Sequence, residues 1–267
     1  MSIIEEKKMN LFRKIAGGVL MAILMPQVVS AQVNLKDVEG YLDADFVSHY
    51  MWRGLDRAGI SIQPTAYVSY QGLTLKMDGS TGLRRDDIQE IVFTLGYENT
   101  GFNIGVTDYW MSGLDAHDRF FYYGKDGGHQ IEGNIGYSWK YGSIQAYTMF
   151  AGNDFKYSGD RAFSTYVELG VPFKLGGLNW RVAAGVTPFE SGCTVETYTD
   201  KTTGKAAKRT TYTYAEGFAC VMASIRATKT LDLGFSNMPV FAEFHTNPYL
   251  QTANVVFGVT ICPFSGR

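Results

Sequence analysis

The chain has 267 residues, 24 of them basic and 26 acidic, a formal net charge of −2, and a hydrophobic fraction of 45%. Its mild acidity lacks the basic field that phosphate binding requires, which excludes nucleic acid as a partner. Past residue 31 no run approaches the roughly 20 apolar residues of a membrane-spanning helix, so any crossing of a bilayer must be made by strands.

The first element is not part of the fold. Arg13 and Lys14 precede an apolar run from Ile15 to Met25, Pro26 breaks it, and Val29-Ser30-Ala31 offers small residues to a signal peptidase. This is the pattern of a secretory signal peptide over residues 1–31, too short to span. Glu5 and Glu6 suit a positive leader poorly, which leaves Met1 and Met9 both open as the start, and no Cys near the cleavage site offers a lipoprotein anchor. A mature chain from Gln32 to Arg267 has 236 residues, the length of one all-β domain. Loss of Lys7, Lys8, Arg13 and Lys14 with Glu5 and Glu6 takes the net charge from −2 to −4.

From Tyr41 onward, apolar and polar residues alternate. Ile62, Pro64, Ala66, Val68 and Tyr70 share one face, and Gln63, Thr65, Ser69 and Gln71 the other. A period of two belongs to half-buried strands. Twelve strands are predicted, at about 41–52, 62–70, 73–79, 88–97, 102–110, 129–139, 144–152, 162–173, 178–188, 215–227, 239–247 and 254–262. Gln71-Gly72, Glu98–Gly101, Lys140–Ser143 and Lys174–Gly177 are hairpin-length turns, while the link at about 228–238 reads longer. The alternate connections are long and polar, the longest at about 189–214, rich in Thr and Lys and without a recognisable motif. An even strand count with tight and long connections at opposite ends predicts an all-β, up-and-down antiparallel transmembrane barrel in the outer membrane of a Gram-negative bacterium. Both termini are then periplasmic.

The faces fit such a barrel. Leu42, Ala44 and Phe46, then Ile91, Phe93 and Leu95, and later Val255, Phe257, Val259 and Ile261 form an outward apolar set. The opposite face carries Asp43, Asp45, His49, Lys76, Glu90, Glu132, Glu168, Arg181 and Glu243, read as lumen-lining. These charges serve as a selectivity lining or as ion pairs filling a narrow lumen, and both readings stand. Tyr70, Tyr97, Phe102, Trp139 and Phe173 fall at the periplasmic strand ends, and Tyr50, Trp52, Tyr109, Trp110 and Phe163 at the other, as two aromatic girdles require.

The segment from Asp45 to Gly54, with Trp52-Arg53-Gly54 at its end, then Ser61-Ile62-Gln63-Pro64 and Gly72-Leu73, resembles the opening of the TorF-type porin family. That family places an aromatic-Arg-Gly at the end of the first strand, a Gln-Pro or Gln-Gly entry to the second, and a Gly-aromatic hairpin. The match covers about the first fifth of the mature chain. His49 replaces a smaller polar residue, Leu73 an aromatic, and Ser265-Gly266-Arg267 a terminal aromatic, with Phe264 close by. The resemblance implies a diffusion channel.

Arg53 either faces Asp43 or Asp45 across a pore mouth or anchors its loop, with Gly54 supplying an unusual backbone angle; the anchor is preferred. Cys193, Cys220 and Cys262 are odd in number and match no zinc or redox spacing, so they read as small packing residues. Of His49, His117, His129 and His245, none lies in the His-x-Ser-Asn arrangement that resembles outer-membrane phospholipase A. Ser48 and His49 point to opposite faces of a strand, and His117 lies in a polar loop. The expectation is therefore no enzyme, no cofactor and no metal. The chain reads as a porin-like channel for passive diffusion of small hydrophilic solutes, with outer-membrane lipid and, during biogenesis, the barrel-assembly machinery as partners. The alternatives are a non-conducting structural or surface-binding barrel and, last, a lipid hydrolase.

Overall fold

Twelve antiparallel strands close on themselves, each hydrogen-bonded to its sequence neighbours in the wall and the first to the last. The structure is a computed structural model and describes residues 37–84, 87–113, 118–124, 127–199, 206–234 and 237–265. The expected signal segment and His117 lie outside these residues. The strands are β1 (Val38–Val47), β2 (Tyr50–Trp52), β3 (Leu55–Ala58), β4 (Ser61–Tyr70), β5 (Leu73–Gly82), β6 (Gln89–Asn99), β7 (Phe102–Met111) and β8 (His129–Trp139). They continue with β9 (Gly142–Gly152), β10 (Thr165–Leu175), β11 (Leu178–Thr187), β12 (Cys193–Thr199), β13 (Ala206–Tyr212), β14 (Ala219–Asp232), β15 (Asn237–Asn247) and β16 (Thr252–Ser265). The pairs β2–β3 and β12–β13 stand outside the wall as separate two-stranded hairpins. β1 pairs with β16, with Phe46 opposite Val259, and this seam leaves no open edge.

The twelve wall strands fall where the alternation places them, with three differences. The first ends at Val47 rather than near residue 52, because the chain turns away and folds back as the β2–β3 hairpin. The connection expected to be long at 228–238 is short, since β14 runs to Asp232 and β15 begins at Asn237. The stretch 189–214 contains a regular hairpin, Cys193 pairing with Tyr212 and Thr199 with Ala206. Its Thr-rich strands lack the apolar face that marks a wall strand, and they stay largely exposed.

Three of the tight turns share one geometry. Gln71-Gly72 and Thr100-Gly101 have φ of 49° and 86°, and 49° and 87°, and Gly176-Gly177 has 61° and 72°. Positive φ at both central residues is the hairpin turn whose twist matches its strands.

Large apolar side chains cover the outer wall: Leu169 is 54% exposed, Ile135 51% and Phe257 60%. A contiguous apolar belt of this kind is foreign to a protein surrounded by water. Cys193, Cys220 and Cys262 remain thiols.

Candidate functional site

The wall register fixes what faces inward. Asp45 lies opposite Gln63 and Thr260, Glu90 opposite Ser80, and Glu132 opposite Thr107. Two bulges adjust this pattern near the long-connection end. One, between Gly185 and Val186, gives β14 an extra residue, so that Val221 and Met222 both join the inner cluster around Tyr166 and Tyr214. The other lies opposite Ile131/Glu132 and leaves Met149 fully buried while Phe150 is exposed.

The β2–β3 hairpin enters this lumen. Trp52 pairs with Leu55, and Arg53-Gly54 form a two-residue turn with φ of 49° and 88°. Positive φ is uncommon for a residue with a side chain, and such strain persists where the surroundings hold it. Gly54 is held by close approach: a Cβ there would meet the backbone carbonyl of Val221 in β14, and Asn247 of β15 donates its side-chain N–H to the Gly54 carbonyl at 3.3 Å. The turn therefore rests against β14 and β15, close to the β1–β16 seam, and from there the Arg53 side chain reaches β8 on the opposite side of the lumen.

Arg53 is the centre of the arrangement. Its guanidinium donates to both carboxylate oxygens of Glu132, at 2.5 and 2.8 Å, and to the Tyr214 hydroxyl at 2.7 Å. Tyr109 donates to the same carboxylate at 3.1 Å. The rings of Trp52, Tyr147 and Tyr166 face the guanidinium carbon at 4.7, 4.0 and 5.1 Å. The Arg53 side chain is 9% exposed and that of Glu132 1%. A planar fork matched to a carboxylate and flanked by ring faces suits guanidinium rather than ammonium. Buried without its partner, either charge would be strongly unfavourable. Ser191 fixes the top of the box: its Oγ accepts the backbone N–H groups of Tyr214 and Ala215. Burial pushes the Tyr214 phenol up to about 12, with Arg53 acting against it.

Beside the box, Tyr50 donates to Glu90 at 2.5 Å, and Arg57 lies over Trp52 and donates to the Met111 sulfur. Tyr50, Trp52 and Tyr109 thus belong to the lumen, which corrects their placement in a girdle. For Tyr50 and Trp52 the turn after Val47 decides between an interface and an inner box, whereas Tyr109 simply shares the inward face of Thr107 in β7. Arg53 pairs with Glu132, not with Asp43 or Asp45. Tyr70, Tyr97, Trp139 and Phe173 lie in wall strands, the last three exposed, while Trp110 is covered by Phe120.

The remaining lumen charges are largely paired. Lys76 meets Asp78 at 3.0 Å, Arg181 meets Glu168 at 2.6 Å, and Glu243 takes His245 at 3.1 Å and Arg226 at 3.5 Å. Asp45 accepts from Thr260. The turn after β1 holds His49, half-buried, its Nδ1 without a hydrogen-bond partner. Arg57 and Arg226 escape the sequence reading, while Asp78 shares the polar face of Lys76 by alternation but is not counted in the lumen set.

The box separates two cavities. One, about 580 Å³, lies toward the tight turns and is lined by Glu98, Asn103, Gln145, Tyr147, Glu168 and Arg181 among others. The other, about 290 Å³, lies toward the long connections and is bordered by Arg57, Met111, Gln130, Asp154 and Cys193. Between them Tyr166, Met149, Val221, Tyr214 and Glu132 are all fully buried.

On the outer wall, His129 pairs with Asp108 at 2.9 Å, stacks on Tyr123 and meets the Phe120 carbonyl with its second nitrogen. Both ring nitrogens are occupied, so neither can take a proton from a nucleophile in this arrangement.

No family model and no curated relative matches the sequence. Among solved structures the chain is similar to one reported in work on the mechanism of in-meso crystallization of membrane proteins, at 6% identity and a TM-score of 0.44, over 85% of this chain and 83% of that one. At that level the likeness carries no argument, and the functional reading rests on this chain's own residues.

Proposed function

We infer that the chain is an outer-membrane barrel of the porin kind whose lumen is shut by its own first long connection, and that small hydrophilic solutes pass when the β2–β3 hairpin withdraws. The apolar outer belt supports the membrane setting. The observation that carries the closure is Arg53, held by Glu132 and three aromatic faces between the two cavities. In this reading the tight turns and both termini face the periplasm. The acids do not form a free anionic lining, because Glu132, Glu168 and Glu243 are each matched by a cation, so selectivity depends on what the opened box offers.

The test is solute entry into proteoliposomes, comparing the wild type with a variant whose residues 48–60 are replaced by a short Gly-containing turn. The variant should admit small sugars and amino acids faster than the wild type. A folded variant that admits nothing would favour the second reading, a non-conducting barrel, which the fully buried inner layer also fits.

A further inference from the structure

Arg53 occupies a site that has the form of a receptor for a separate cation. A carboxylate receives both arms of the guanidinium fork, two tyrosine hydroxyls complete the hydrogen bonds, and three ring faces surround the carbon. All but Trp52 of these groups belong to the wall or its cap, not to the hairpin. They stay in place when the hairpin leaves, and the carboxylate of Glu132 is then unpaired inside a ring of aromatics.

We propose that this box is a binding site for small guanidinium-bearing solutes, for which Arg53 is the built-in competitor. The solute class rests on the closure reading above; the binding itself rests on the geometry of the box alone. Glu132 supplies charge and the bidentate match, which a quaternary ammonium without N–H donors cannot use. Tyr147 and Tyr166 supply faces that attract any organic cation. A solute in the box holds the carboxylate satisfied while the hairpin is away, so occupancy favours the open state.

The experiment uses the purified full mature chain in detergent, where no current is needed. Arg53→Ala empties the box, and methylguanidinium chloride is the probe, with sodium chloride and tetramethylammonium chloride at equal ionic strength as references. Methylguanidinium should raise the thermal midpoint of Arg53→Ala by about 2–5 °C and saturate, as a ligand of the folded state does. The references should produce no saturating rise, and the Arg53→Ala/Glu132→Gln double variant should not respond to the probe. Equal responses to all three salts, or an unchanged response in the double variant, overturn the proposal. If Arg53→Ala does not assemble, Arg53→Lys carries the test. Its single ammonium is displaced by methylguanidinium, which is read as a saturable change in tryptophan fluorescence that Trp52→Phe removes. A fluorescence change that persists in Trp52→Phe, or none at all, overturns the proposal. A barrel that binds the probe and admits no solute refutes the channel and leaves the site standing; one that conducts and ignores the probe does the reverse.

Discussion

The two halves of this lumen are built by the same twelve strands, yet they differ in how their charges are housed. Toward the tight turns, Arg181 and Glu168 meet beside a cavity of about 580 Å³, and Arg181 remains 44% exposed. Toward the long connections, Arg53 and Glu132 meet in a layer filled by tyrosines and methionines. Both are Arg–Glu pairs at comparable distance, so the difference lies in the dielectric around them. A screened pair can lose a partner to water, whereas a buried pair cannot. In this barrel the interior is core where a connection packs onto large inward wall side chains such as Tyr166 and Val221, and lined by solvent where it does not.

The largest expected effect breaks the buried pair. Glu132→Gln should lower stability by about 3–5 kcal/mol, because it leaves a guanidinium uncompensated in the layer. The loss should appear as a lower temperature for the shift in gel mobility between folded and heat-unfolded protein. Next comes the wall itself, where neighbouring residues of β10 point to opposite faces. Leu169→Arg places a charge on the apolar outer belt and should cost about 2–4 kcal/mol in a bilayer. Assembly yield into lipid vesicles measures it, and full yield would show that this face meets no hydrocarbon.

A third substitution tests the seat of the hairpin. Gly54→Ala brings a Cβ against the Val221 carbonyl and forces a side chain into φ of 88°. The expected loss is about 1–3 kcal/mol, accompanied by faster protease cleavage between residues 48 and 60. Unchanged proteolysis would mean that the turn does not rest on β14. The smallest effect belongs to the open half. Arg181→Ala should change the stability by no more than about 1 kcal/mol, since water replaces the lost partner. A loss as large as that of Glu132→Gln would erase the distinction between the halves.

The wall was legible in the sequence because strand alternation is a local property: each apolar–polar step reports a face, and the glycine-bearing turns report where the chain reverses. The inward hairpin was not. Tyr50 and Trp52 continue the rhythm of β1 without a break in composition, and nothing in that rhythm distinguishes a strand that carries on from one that folds back. Arg53-Gly54 did carry a signal, since a glycine after a large residue at a strand end marks a positive-φ turn, but its partner Glu132 lies 79 positions away. The acids were legible as an inward set. Their pairing was not, because cross-strand neighbours depend on register, and a bulge such as that at Val221 shifts register by one residue without a mark in the sequence.

The most direct measurement is single-channel current in a planar bilayer for the wild type and Glu132→Gln, both refolded from the same detergent. If Arg53 and Glu132 hold the lumen closed, the wild type should rest at baseline with rare openings, and the variant should be open for a much larger share of the record at the same unit conductance. A wild type that conducts steadily, at the same level and for the same share of time as the variant, would contradict closure by this pair.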